Sequence, residues 1–173
     1  MKSFLLSFGL SAAALVALAP ALSQTSALRG HDSSAPVDWA ADRVEVQDRA
    51  DRVILSGNVV ARQGQLTVSA ARMTVAYSST GGIDIHRLDA SGGVTVRSPS
   101  ETARGQFAIY DFDARIITLI GGVSLTQGDN RVEGGRLVID LDSGNATLTG
   151  GAPGTTQPNG RVTGTFTVPQ RDR

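Results

Sequence analysis

Residues 53–77, VILSGNVVARQGQLTVSAARMTVAY, decide the fold. Apolar residues recur at every second position in three runs: Val53, Leu55, Gly57, Val59 and Ala61; then Leu66, Val68 and Ala70; then Met73, Val75 and Tyr77. A strand points successive side chains to opposite faces, so this period of two buries one face and leaves Arg62, Gln65, Thr67, Arg72 and Thr74 on the other. Ser56-Gly57-Asn58 and Gln63-Gly64 supply the glycine that a tight bend or bulge requires.

The rest of the chain repeats this theme. Leu55-x-Gly57-x-Val59-x-Ala61 is echoed by Ala90-x-Gly92-x-Val94-x-Val96, by Leu119-x-Gly121-x-Val123-x-Leu125 and faintly by Leu148-x-Gly150-x-Ala152, the glycines standing 35, 29 and 29 residues apart. Behind each echo comes a polar turn and another alternating run. Units of this kind stack because none can bury its apolar face alone, and a glycine in strand register permits a sharp bend between two faces. The pattern predicts an all-β protein with two facing antiparallel sheets, elongated and open at both ends, built from about 12–16 short strands. Open ends leave unpaired strand edges, which recruit further strands.

Composition agrees and narrows the function. Of 173 residues 40% are hydrophobic, only 5% are aromatic and 20 are glycine, which suits short strands and tight turns better than a helical bundle. The formal net charge of zero argues against a nucleic-acid partner. There is no cysteine, so stability must come from burial rather than disulfides.

The first segment reads as an address. Lys2, the apolar run Phe4–Leu18 and the small residues around Ala19-Pro20-Ala21 and Ala21-Leu22-Ser23 predict a signal peptide over residues 1–23, hence export; a retained membrane anchor is the competing reading. Lys2 is one of the 16 basic residues, so cleavage leaves 15 arginines against 16 acids. Residues 24–36 read as a flexible leader, 37–168 as the domain and 169–173 as a fraying tail. Trp39, the single tryptophan, is expected in the core or at its rim.

Catalytic chemistry is not legible. His31 falls in the leader and His86 at an outward strand position, neither with partners at metal-ligand spacing, so no metal site or cofactor is expected. Asp111 and Asp113 flank Phe112, and Asp140 and Asp142 flank Leu141; both pairs lie where strands run into turns and read as solvated turn residues rather than as a glycosidase pair. No enzyme is expected.

The signal segment, Ser56-Gly57-Asn58-Val59 leading through Gln63-Gly64 to Ala70-x-x-Met73 and Tyr77, and the later Gly-Gly-Val echoes resemble the OstA-like family over residues 38–150, nearest to its periplasmic lipopolysaccharide-transport bridge members. The resemblance implies a β-jellyroll in the periplasm whose apolar groove shields the lipid A acyl chains of lipopolysaccharide. It also implies head-to-tail homo-oligomers that join an inner-membrane-anchored relative to the outer-membrane translocon. Sequestering each methylene contributes about 0.8 kcal/mol, so acyl chains need no charged anchor. The residues expected to line the interior are Val53, Leu55, Val59, Leu66, Val68, Met73, Val75, Ile85, Val94, Val96, Phe107, Ile109, Leu119, Val123, Leu125, Leu137 and Ile139. Parity alone leaves open whether they line a groove or a dry core. The membrane-anchored relative and a structural β-solenoid without lipid are the alternatives.

Overall fold

The computed structural model describes residues 31–151 and 160–168; the expected signal segment and the arginine-rich tip lie outside them. The strands are β1 (Val37–Ala40), β2 (Arg43–Gln47), β3 (Arg52–Gln63), β4 (Leu66–Ser78), β5 (Asp84–Arg97), β6 (Glu101–Asp111), β7 (Ile116–Gln127), β8 (Asn130–Asp140), β9 (Asn145–Thr149) and β10 (Thr163–Thr165). They form one antiparallel sheet in which β3 to β8 follow sequence order; β1 and β2 both pair with β3, and β9 and β10 both pair with β8. The all-β architecture is as expected, with ten strands among the described residues, several of them longer than expected. Each of β3 to β8 runs for 11 to 14 residues, because the glycines do not end the strands.

Those glycines sit in a line of bulges that crosses the sheet. The ladder breaks register between Ser56 and Val59, Ser69 and Arg72, Ser91 and Val94, Arg104 and Phe107, and Ile120 and Val123. In β3, β5 and β7 the two inserted residues, Gly57-Asn58, Gly92-Gly93 and Gly121-Gly122, all have positive φ, a conformation that glycine adopts without steric penalty. The opposing strands spend one residue fewer at the bend. Odd strands therefore keep their inward parity across it, while even strands invert theirs: β4 buries Leu66, Val68 and Ala70 and then Met73, and β6 buries Ala103 and then Ala108 and Tyr110.

Bending along this line folds the sheet into two layers that face each other. The Tyr110 hydroxyl donates to Gln63 Oε1 at 3.0 Å, although two strands separate β6 from β3 in the sheet. Between the layers lies one core. Leu55, Val59, Met73, Leu119, Leu137 and Ile139 are 0–1% exposed, and each such large aliphatic side chain contributes about 1.5–3 kcal/mol. Both borders of the sheet are split at the bend. Where β1 gives way to β2, the Asp42 amide donates to the Gly57 carbonyl at 2.9 Å and Asn58 Nδ2 donates to Asp42 Oδ2 at 2.8 Å. The border strands are only 3 to 5 residues long, which limits the unpaired edge each presents.

Candidate functional site

Toward the β1–β2 border the core does not close. A groove of about 380 Å³ opens there between the layers, walled by Val37 and Trp39 of β1, Val44 and Val46 of β2, and Val53, Leu55 and Ala61 of β3. Val75 and Tyr77 of β4, Ile83, Ile85, Leu88 and Phe112 complete it, and Asp48 is its single charged residue. The opposite end is filled by Ile117, Leu119, Leu137, Ile139 and Leu141, whereas the groove walls are rich in valine and include the short border strands β1 and β2. Space of this size equals about a dozen water molecules at ~30 Å³ each, yet the lining gives water almost nothing to bond to. Its size falls in the range of sites that enclose small ligands, ~300–1,000 Å³. Trp39, Val44, Val46 and Ile83 stand 46–80% exposed at the mouth.

One buried polar side chain ties the closed flank together. Gln63, 5% exposed, donates through Nε2 to the carbonyls of Ser33 at 2.8 Å and Ala35 at 3.0 Å. Its Oε1 accepts from Tyr110 and stands 3.0 Å from His31 Nε2. Residues 31–36, expected within a flexible leader, are therefore a strap bound across the two layers. Burial is the leading cause that raises the Tyr110 phenol above its usual pKa, with Ser33 and Arg115 acting against it, so the hydroxyl stays a donor at neutral pH. The Tyr110 ring stacks on Phe112 with centroids 3.9 Å apart and 19° between planes.

A family profile described as "LptA/(LptD N-terminal domain) LPS transport protein" matches residues 40–145, the span from β1 through the start of β9. The chain belongs to this LptA/LptD N-terminal family. A relative in Rhizobium meliloti (strain 1021), itself an uncharacterized protein, is 32% identical over 121 residues, covering 65% of this chain and 65% of that protein. The crystal structure of LptH from Pseudomonas aeruginosa, described as the LptA-homologous periplasmic component of the lipopolysaccharide transport device, superposes with a TM-score of 0.70. It covers 80% of this chain and 99% of that one at 20% identity, which shows the shared jellyroll-like fold.

Set on this LptA-type fold, the residues expected inside divide into three groups. Val53, Leu55, Val75 and Ile85 line the open groove. Val59, Leu66, Val68, Met73, Val94, Val96, Leu119, Val123, Leu137 and Ile139 are buried in the closed core, with Leu125 half-buried against it. Phe107 and Ile109 are a correction. Phe107 is 55% exposed, and the buried residues of that half-strand are its neighbours Ala108 and Tyr110. The register break between Arg104 and Phe107 inverts the parity of β6, so the more apolar residues Phe107 and Ile109 face away from the core and Ala108 and Tyr110 face into it.

Several groove residues were not among those expected: Val37, Val44, Val46, Tyr77, Ile83, Leu88 and Phe112. The alternation of Val44 and Val46 was the available signal for β2; Phe112 had none, since it sits in a turn between two aspartates. Those aspartates behave as turn residues. Asp111 Oδ1 accepts the Ala114 amide at 2.8 Å, and Asp140 Oδ1 accepts those of Asp142 and Ser143, bonds that hold the Asp140 carboxyl below its usual pKa. His86, expected to point outward, is half-buried and lies 3.2 Å from Asp113 Oδ2 and 3.1 Å from Ser78 Oγ, tying the β4–β5 and β6–β7 turns together.

Proposed function

We propose that this protein carries lipopolysaccharide in the periplasm, holding lipid A acyl chains in the groove between its layers and joining the inner and outer membranes in head-to-tail assemblies. The observation that carries this reading is the groove, an apolar space open at one border of a fold belonging to a lipopolysaccharide-transport family. Burial of acyl methylenes at about 0.8 kcal/mol each supplies affinity without chemistry, which suits a carrier that must also release its cargo. Export follows from cleavage of residues 1–23, with 37–168 as the working domain. The split borders β1–β2 and β9–β10 each offer free backbone groups in both layers, so a neighbouring copy, an inner-membrane-anchored relative or the translocon extends the sheet by strand addition.

Native mass spectrometry of the mature protein with lipopolysaccharide, against a phospholipid control, tests this. A lipopolysaccharide adduct together with a concentration-dependent oligomer ladder is the expected result. A ladder with no adduct would leave a structural filament, and recovery of the chain only with residues 1–23 attached would select an anchored relative.

A further inference from the structure

Another cavity also borders Phe112. Its volume is about 350 Å³, and its walls are the strap residues 31–34 on one side and Arg115 and Asp142 on the other. Phe112 lines both this cavity and the apolar groove, so a polar chamber and an apolar one share this residue in their walls. We propose that the polar chamber binds the hydroxyl-bearing sugar of an amphiphile whose chains occupy the groove. This rests on the groove reading above and names the head group that goes with it.

The chemistry of the walls selects a neutral sugar. Carboxylates at Asp32 and Asp142 accept from hydroxyls, the Arg115 guanidinium and the Ser33 and Ser34 hydroxyls donate, and the ring of Phe112 offers an apolar face. Among the described residues that line it, two carboxylates stand beside one guanidinium and one imidazole, with no positive excess to hold a phosphate. Arg115 Nη1 already donates to Asp142 Oδ1 at 2.8 Å, which meets part of its charge and leaves the rest of its five-donor fork for a ligand.

Arg115 is positioned by its turn. Arg115 has φ +54, a conformation that glycine or asparagine adopts readily and arginine does not. Its ion pair with Asp142 is half exposed on both sides, and such pairs contribute little to stability. The left-handed backbone belongs to the turn, since Asp51 before β3 and Gly144 before β9 hold the same conformation, and it sets the Arg115 side chain at the wall of the chamber. The frame around it is rigid: the Arg115 carbonyl accepts the Leu141 amide at 3.0 Å, which locks the β6–β7 turn to the β8–β9 turn.

Two uncharged detergents with the same dodecyl chain separate the chambers: dodecyl maltoside and a dodecyl polyoxyethylene ether, each titrated below its micelle concentration and followed by Trp39 fluorescence at the groove mouth. The maltoside is expected to bind at least tenfold tighter. R115G, which relieves the positive φ, is expected to fold at least as well as the parent and to bring the maltoside down to the ether's affinity, leaving the ether unchanged; D142N should lower the maltoside alone by severalfold. Equal affinities for the two detergents in the parent, or variants that weaken both alike, would overturn the sugar site while leaving the groove intact. Tighter binding of dodecyl phosphate than of the maltoside would overturn it in favour of an anion site. Binding of none of the three overturns the groove reading itself.

Discussion

Replacing Gln63 by leucine removes the one polar side chain that joins strap, first layer and second layer. Leucine is of similar size and apolar, so the change tests hydrogen bonding rather than packing. Three bonds disappear: those donated to the Ser33 and Ala35 carbonyls and the one accepted from Tyr110, with the contact to His31 lost as well. The carbonyls regain water if the strap lifts, so their loss is the ordinary net value of about 0.5–1.5 kcal/mol each. Tyr110 is 3% exposed, and its hydroxyl, whose other partner Ser33 leaves with the strap, adds about 1–3 kcal/mol. Q63L should therefore destabilise by about 2–6 kcal/mol, and because Y110F removes the orphaned hydroxyl, the double variant should be less destabilised than the sum, with a coupling of about 0.5–3 kcal/mol. Urea unfolding gives the energies, and hydrogen exchange gives the location: the Ala35 amide, which donates to Asp32 within the strap, should lose protection while the β7–β8 ladder keeps it. Additive energies, or an Ala35 amide that exchanges as slowly as before, would refute the view that Gln63 holds the strap and couples it to Tyr110.

The bend makes a paired prediction. At Gly92 (φ +84) an added Cβ would meet the Ala71 Cβ at 2.7 Å, whereas at Gly93 (φ +80) it would meet nothing within 4 Å. G93A should lose about 1–2 kcal/mol from backbone conformation alone, G92A about 1–3 kcal/mol more from overpacking, and A71G should restore only that second part; equal losses in the two alanine variants would contradict the close approach. Facing in β6 is checked by charge insertion: F107D should be tolerated within about 0.5 kcal/mol, and A108D should prevent folding or lower stability by several kcal/mol, the reverse order restoring the uninverted parity. For pH, the Asp140 carboxyl has a folded-state pKa lowered chiefly by its bonds to Ser143. Its contribution is present above the unfolded value of about 3.9 and is lost as pH falls through the lower folded value, so D140N should flatten the acid limb of the stability profile below about pH 4 and leave the profile near neutrality unchanged in slope.

Much of the fold was legible because its causes are local. Alternation of apolar residues in 53–77 marks strands, and the Gly57, Gly92 and Gly121 echoes mark where they bend; the inversion from Ala70 to Met73 in β4 could even be read from the spacing of the apolar runs. In β6 the same inversion was hidden. Phe107 and Ile109 are more apolar than Ala108 and Tyr110, so hydrophobicity favoured the wrong parity, and only the register of β6 against β7 corrects it. The strands were expected to be shorter for a related reason: a positive-φ glycine pair in sequence looks like a turn, and whether the ladder continues through it depends on the neighbouring strand.

By itself, the sequence determined the all-β class, the two-faced strands, the line of bends and most of the residues that face inward, since each depends on residue type and a period of two along one stretch of chain. The tertiary structure alone decided where the interior stays open, that residues 31–36 are bound across the layers by Gln63, and that Phe112 borders both an apolar groove and a polar chamber. These depend on which side chains meet across a folded sheet, 28 to 47 residues apart in the case of Gln63 and its partners, and packing at that distance leaves no local pattern in the chain.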